Sequence, residues 1–370
     1  MAKNGMKIMD SDMHIIEPPD LWQRYIAPEF RDRAPHGRPG QENPSVLEID
    51  GHVYPKSARR PEHNYQTMYG RLYERYRHAV DAGYDAPSQI VGMDREGIDV
   101  AVLFPTRGLY ALARDDLEPR FAQAIARAYN AWLAEFCSTD PERLLGAAMV
   151  TPHDVDAAVE ETRRAVEEYG FKSIFMRTNL VGGRNWSDPH YDPLWAEAER
   201  LGIAVGFHEG GDVDLPQVGT HFPNSMMRHT CTHPMAMMLA VVDIIGGGVC
   251  ERFPETRFAF LEGNCSWAPF LLWRLDEHRE WRYDWEGKSL PLAPTEYFKR
   301  QCFLSIECDE SPASLAVGAL GDENIVFSTD YPHADSKYPE SCDRFFHLPL
   351  GTESKRKILW DNCARLYALE

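Results

Sequence analysis

Two short stretches near opposite ends of the chain pair carboxylates with imidazoles: Asp12 and His14 in MDSDMHIIEPPDLW (9–22), and Asp330 and His333 in STDYPHAD (328–335). In a strand, residues i and i+2 point to one side, so Asp12 and His14 would aim at one spot. Imidazole and carboxylate without thiolate suit Zn²⁺, Mn²⁺ or Fe²⁺. A bound divalent ion would either activate water or hold a substrate carboxylate or phenolate. More groups of this kind lie between the two stretches: Arg177 in FKSIFMRTN, His208 and Glu209 in GFHEG, Glu262 in FAFLEGN, and Glu307 and Asp309 in SIECDE. Each has an ordinary account alone. Asp12 could cap the next turn of the chain, His208 could be a satisfied core histidine, Asp330 a turn former, and Glu262 a partner of Arg274.

Their common feature is that each closes an apolar segment. One such segment opens at Met6, and seven more span 97–106, 144–152, 171–179, 203–210, 257–264, 302–310 and 324–333. Helical spacing of apolar residues marks 117–137, 154–170, 192–202, 233–248, 266–278, 311–321 and 354–369 between and after them. Strands apolar on both faces and separated by helices imply a parallel sheet, and eight of them predict an α/β fold, a (β/α)8 TIM barrel. An open doubly wound sheet is the alternative, but no G-x-G-x-x-G follows an early strand. Residues 30–92, rich in Pro, Gly, Arg and Tyr, read as a long insertion after strand 1 that lies outside the core, a candidate lid or dimer contact within a single 1–370 domain. In such a barrel the chemistry-bearing residues share the C-terminal mouth.

Composition narrows the functions. A formal charge of −18 excludes general affinity for nucleic acid or anionic membrane. No signal-peptide stretch and no run of 18 apolar residues is found, which predicts a cytoplasmic protein. The eight cysteines form no C-x-x-C pair and read as free thiols. The apolar stretch 266–285 predicts a homodimer. Arg177 and Arg107 could fork onto a substrate carboxylate, or neutralise the acidic mouth.

The motifs DSDMHIIEPPDLW, MDREGIDVAVLFPT, GFHEG, HPMAMM, GGGVCERFPETRFAFLEGNCSWAPFLLWRLDE and STDYPHAD resemble, in order and over nearly the whole chain, the amidohydrolase superfamily. The branch is that of aminocarboxymuconate semialdehyde, resorcylate and carboxyvanillate decarboxylases. The resemblance implies Asp12, His14, His208 and Asp330 as ligands of one metal. The decarboxylases usually carry a His at the end of strand 6, where this chain has Glu262, which implies either a base or an additional metal ligand. His233, read as the start of the helix after strand 5, His333 and His229 are further candidates for ligand or proton shuttle. The implied activity is a metal-dependent hydrolase or non-oxidative decarboxylase on a small aromatic or cyclic carboxylic substrate, with one or two ions of Zn, Mn or Fe. A diiron monooxygenase on the same fold, and an inactive binding barrel, are the alternatives.

Overall fold

The computed structural model describes residues 3–37, 46–54, 65–209, 222–282 and 290–369. Among the described residues ten strands form: β1 (Met9–His14), β2 (Leu47–Ile49), β3 (His52–Tyr54), β4 (Val100–Phe104), β5 (Leu144–Met149), β6 (Ser173–Arg177), β7 (Ala204–His208), β8 (Phe258–Phe260), β9 (Cys302–Ile306) and β10 (Ile325–Phe327). Eight of them pair in parallel in the order β1-β4-β5-β6-β7-β8-β9-β10, while β2 and β3 make an antiparallel hairpin. Helices alternate with the parallel strands, and the whole is a (β/α)8 barrel.

Local chemistry explains the elements. Helix Pro119–Cys137 starts with Pro at its first position and buries Phe121, Ile125, Tyr129 and Leu133 at spacings of four. Helix Val155–Glu167 is capped by the Asp154 side chain on the Ala157 amide (3.0 Å), and helix Asp192–Leu201 ends on left-handed Gly202. Inside the barrel, Val102, Ala147, Phe175, Ala204, Ala259, Phe303 and Val326 fill one core, and a larger one lies between strands and helices.

The seam between β10 and β1 is closed by side chains and loop backbone. The Ser11 hydroxyl donates to the Phe327 carbonyl (2.7 Å), and the His14 amide to that of Tyr331 (2.7 Å). Buried Asp10 accepts from the Thr329 amide and hydroxyl and from the Asp12 amide. The register of β1 on β4 slips between Asp10 and Met13, so three steps of β1 face two of β4.

Three expectations are corrected. The helix predicted over 233–248 starts at Ser225, because the Asn224 side chain caps the Met227 amide (2.9 Å); His233 therefore lies well inside it, directly before the in-helix Pro234. The insertion is not merely peripheral: Val46, Leu47, Ile49 and Tyr76 are buried, and the Tyr76 hydroxyl donates to the His333 carbonyl (2.8 Å). Residues 38–45 and 55–64 of that insertion lie outside the described residues. Asp309 turns outward beside Arg344 (3.4 Å), away from the mouth.

Helix Asp192–Leu201 is tied to its neighbour through Glu197, which meets Arg200 (2.6 Å) and Arg163 (2.9 Å). Arg200 above all, and Arg163 after it, outweigh burial and hold the Glu197 carboxyl down to about 2. A depressed carboxyl stabilises the fold above its unfolded value of 4.5 and loses that contribution as pH falls towards 2. The melting temperature of the parent should therefore fall more steeply than that of Glu197→Gln between about pH 5 and about pH 3. Parallel melting curves would refute this.

Candidate metal centre

β1, β7 and the loops after β8 and β10 bring His14, His208, Asp12, Glu262 and Asp330 to one point at the barrel mouth. The Nε2 atoms of His14 and His208 face each other at 3.1 Å. Asp12 Oδ1 lies 3.8 Å from each, Asp330 Oδ1 lies 3.3 Å from His14 Nε2, and Glu262 Oε2 lies 2.8 Å from His208 Nε2. All but Glu262 are almost wholly buried.

The protons of the two imidazoles are already placed. His14 Nδ1 meets the Pro105 carbonyl (2.8 Å) and His208 Nδ1 the Glu209 carbonyl (2.8 Å). A carbonyl only accepts, so both Nδ1 atoms carry hydrogen and both Nε2 lone pairs point inward. Both Asp12 carboxylate oxygens are buried without a hydrogen-bond partner. These acceptor atoms converge with no donor on either Asp12 oxygen, which is costly unless a cation sits there. Spacings of 2.8–3.8 Å would let these atoms meet one ion at the usual bond length of about 2.0–2.2 Å. The donor set therefore fits a divalent ion, and the Nδ1 bonds are the usual backing of metal-ligating histidines. Two overlapping groups, Asp12–His14–His208 and His14–Glu262–Asp330–His333, each keep their ligand atoms within 4.8 Å.

The electrostatics agree. Burial pushes the Asp12 carboxyl up to about 8. Burial, then His333 and His208, holds His14 well below the usual imidazole range, so it stays a neutral donor. At His208 burial acts the same way, but the Asp12 and Glu262 carboxylates outweigh it and push the ring up to about 9, so a positive charge is favoured at this point, carried by a proton on Nε2 or by an ion in that proton's place.

Two loop residues are held in strained backbone. Glu262 and Asp330 have φ of 52° and 56°, a region non-glycine residues seldom adopt. The Glu262 amide donates to Ser305 Oγ (2.9 Å), and Trp267 Nε1 to the Gly263 carbonyl (2.6 Å).

Beside the acceptor cluster lies a second arrangement. His233 Nε2 sits 3.1 Å from Glu262 Oε1 and 3.4 Å from Glu209 Oε2. Burial opposes its charge, yet those carboxylates push His233 up to about 10. His333 Nδ1 lies 2.8 Å from Asp330 Oδ1, its Nε2 meets the Thr106 hydroxyl (2.9 Å), and its ring stacks on His14 at 3.9 Å. Phe104 and Phe175 stand 6.0 and 6.2 Å from the His208 ring and make an apolar floor. His229 is exposed beside His233, with ring centroids 4.2 Å apart.

Both candidate arginines are engaged by neighbouring groups of the protein. Arg177 gives its terminal nitrogens to the Leu112, Ala113 and Leu180 carbonyls and to Asp115, leaving only Nε buried without a partner. Arg107 donates to the Glu17 and Val46 carbonyls (both 2.8 Å). Arg228, 6% exposed in the first turn of helix Ser225–Val241, has no ion pair among the described residues. Sequence reasoning missed Arg228, Asp10, Glu17 and Thr106. The last three flank the strand ends already singled out, so proximity to those ends was the available signal.

Across residues 10–369 the chain matches the family described as Amidohydrolase. The chain belongs to that family. It is 28% identical over 252 residues to the 2-amino-3-carboxymuconate-6-semialdehyde decarboxylase of Dictyostelium discoideum, covering 67% of each chain. Among solved structures, an amidohydrolase of Mycobacterium avium subsp. paratuberculosis K-10 superposes with a TM-score of 0.80 at 21% identity, over 100% of this chain and 99% of that one. A 5-carboxyvanillate decarboxylase of Novosphingobium aromaticivorans, solved with manganese and 4-hydroxy-3-methoxy-5-nitrobenzoic acid, superposes at 0.71 with 18% identity, over 99% and 97%. No helix among the described residues is long and apolar enough to cross a membrane.

Proposed function

We propose that this protein is a divalent-metal carboxy-lyase that releases carbon dioxide, without oxidation, from a small aromatic carboxylate. The observation that carries it is the convergence of unpartnered acceptors on a single point beside the His233–Glu262 pair. Asp12, His14, His208 and Asp330 would hold the ion. Manganese is the first choice by likeness to the carboxyvanillate enzyme, with zinc and iron suited to the same donors. When bound, such an ion polarises the oxygens of the substrate.

The chain's own residues do the rest. Phe104 and Phe175 present an apolar floor to a planar ring. Arg228, a buried cation without a partner among the described residues, stands at the mouth end of its helix and receives the substrate's charged group. The bond from ring carbon to carboxyl breaks, its electron pair stays on that carbon, and His233 delivers the proton that replaces carbon dioxide. Glu262 and Glu209 hold His233 charged and in place. A homodimer built on helix Ala268–Arg282, with Phe270 and Trp273 exposed, is part of the same reading.

The test is carbon dioxide release from a panel of hydroxylated benzoates with Mn²⁺, run in deuterium oxide. We expect one solvent deuteron in each product. Turnover of the matching esters or lactones alone would make the protein a hydrolase, and oxygen uptake would make it the oxygenase. No turnover of any kind would leave a binding barrel. Arg228→Gln should raise KM about tenfold or more by removing a charged hydrogen bond; an unchanged KM would refute its role.

A further inference from the structure

Three residues past His14, Glu17 is 1% exposed and points its carboxylate into the loop after β4. It accepts from three successive backbone amides: Thr106 (3.2 and 3.3 Å to its two oxygens), Arg107 (2.8 Å) and Gly108 (2.9 Å). Arg107 closes the arrangement by donating Nε to the Glu17 carbonyl (2.8 Å). A run of amides turned onto one anion makes a rigid anchor. The loop is packed tightly around it: a Cβ on Gly108 would meet Pro105 Cβ at 2.7 Å, Met149 Cε at 2.8 Å and Glu17 Oε1 at 2.9 Å.

This loop has two outputs, on adjacent residues. The Pro105 carbonyl accepts from His14 Nδ1 and so decides which nitrogen of that ring faces the acceptor cluster. The Thr106 hydroxyl meets His333 Nε2, and His333 Nδ1 meets Asp330. The two arms reach the centre from opposite sides of the seam between β1 and β10. We propose that Glu17 is a positioning residue for the metal centre: through one loop it sets the orientation of His14 and of the His333–Asp330 pair. The proposal rests on the metal reading above and adds to it a residue that touches neither metal nor substrate.

Glutamine at position 17 keeps the shape but offers one acceptor and an NH₂ that opposes the loop amides. Mn²⁺ affinity of Glu17→Gln is measured by calorimetry, with the visible spectrum of the Co²⁺-loaded protein as a second readout. We expect affinity to fall about 10- to 100-fold, as for other outer partners of metal ligands, with an altered Co²⁺ spectrum. The control is Glu161→Gln, another buried carboxylate, bonded to Asn130 (2.7 Å) and Arg164 (2.9 Å). It should lower the melting temperature and leave Mn²⁺ affinity alone. If Glu17→Gln does not fold, Thr106→Val and Gly108→Ala probe the same loop, and each should disturb the Co²⁺ spectrum. Parent-like affinity and spectra in the variants that fold would overturn the proposal. A parent chain that binds no Mn²⁺ would instead overturn the metal reading itself.

Discussion

Asp330→Asn should remove most of the metal and nearly all turnover. Asp330 Oδ1 is a buried carboxylate oxygen 3.3 Å from His14 Nε2 and 2.8 Å from His333 Nδ1. An amide there supplies a neutral oxygen at best, and an NH₂ aimed at a cation at worst. Asparagine tolerates the left-handed backbone of this residue (φ 56°), so the fold should survive. The expected fall in kcat/KM is about 10³-fold or more, ~4 kcal/mol of transition-state stabilisation. Bound metal measured by elemental analysis should drop in parallel. A D330N protein that retains its metal and its turnover would refute the assigned centre.

Glu262→Gln should separate proton delivery from metal binding. Glu262 bridges His208 and His233 at 2.8 and 3.1 Å, and those two rings hold its carboxyl well below the usual range despite burial. A neutral amide no longer holds His233 charged, so kcat should fall by about 10²- to 10⁴-fold, the scale of a lost general acid. Metal content should stay near that of the parent. The contrary result is informative: nearly two irons per chain in the parent, falling to one in the variant, would place Glu262 among the ligands of a second ion. That outcome, joined to oxygen uptake, would replace the carboxy-lyase with the oxygenase, a reading that none of the relatives named above bears by name.

The two variants act on neighbouring atoms of one cluster, so their effects should not add. Burial first and the Glu262 carboxylate after it push the Asp330 carboxyl up, so the two groups act on each other directly, and the double variant should lose less than the sum of the two free-energy costs.

Much of this was legible in the chain because barrel strands are short, apolar and regularly interrupted by helices. That periodicity requires no long-range information, and it places Asp12, His14, Arg177, His208, Glu262, Glu307 and Asp330 at strand ends. Which of those residues converge was a tertiary matter. A period of two assigns faces only while the ladder is regular, and the slip between Asp10 and Met13 breaks it at the residues that matter. The left-handed turns at Glu262 and Asp330 are unfavourable locally and persist because Ser305, Thr329 and the packed barrel hold them. Asp309 was indistinguishable from Glu307 by position, yet it pairs with Arg344 outside the mouth. The carboxylate of Glu17 and the hydroxyl of Thr106 lie 89 residues apart in the chain and share a loop only after β1 and β4 have paired. Sequence by itself determined the architecture and the kinds of atom available at the barrel mouth. Packing across the seam decided which of them face one another, because hydrogen bonds between distant segments exist only once the barrel has closed.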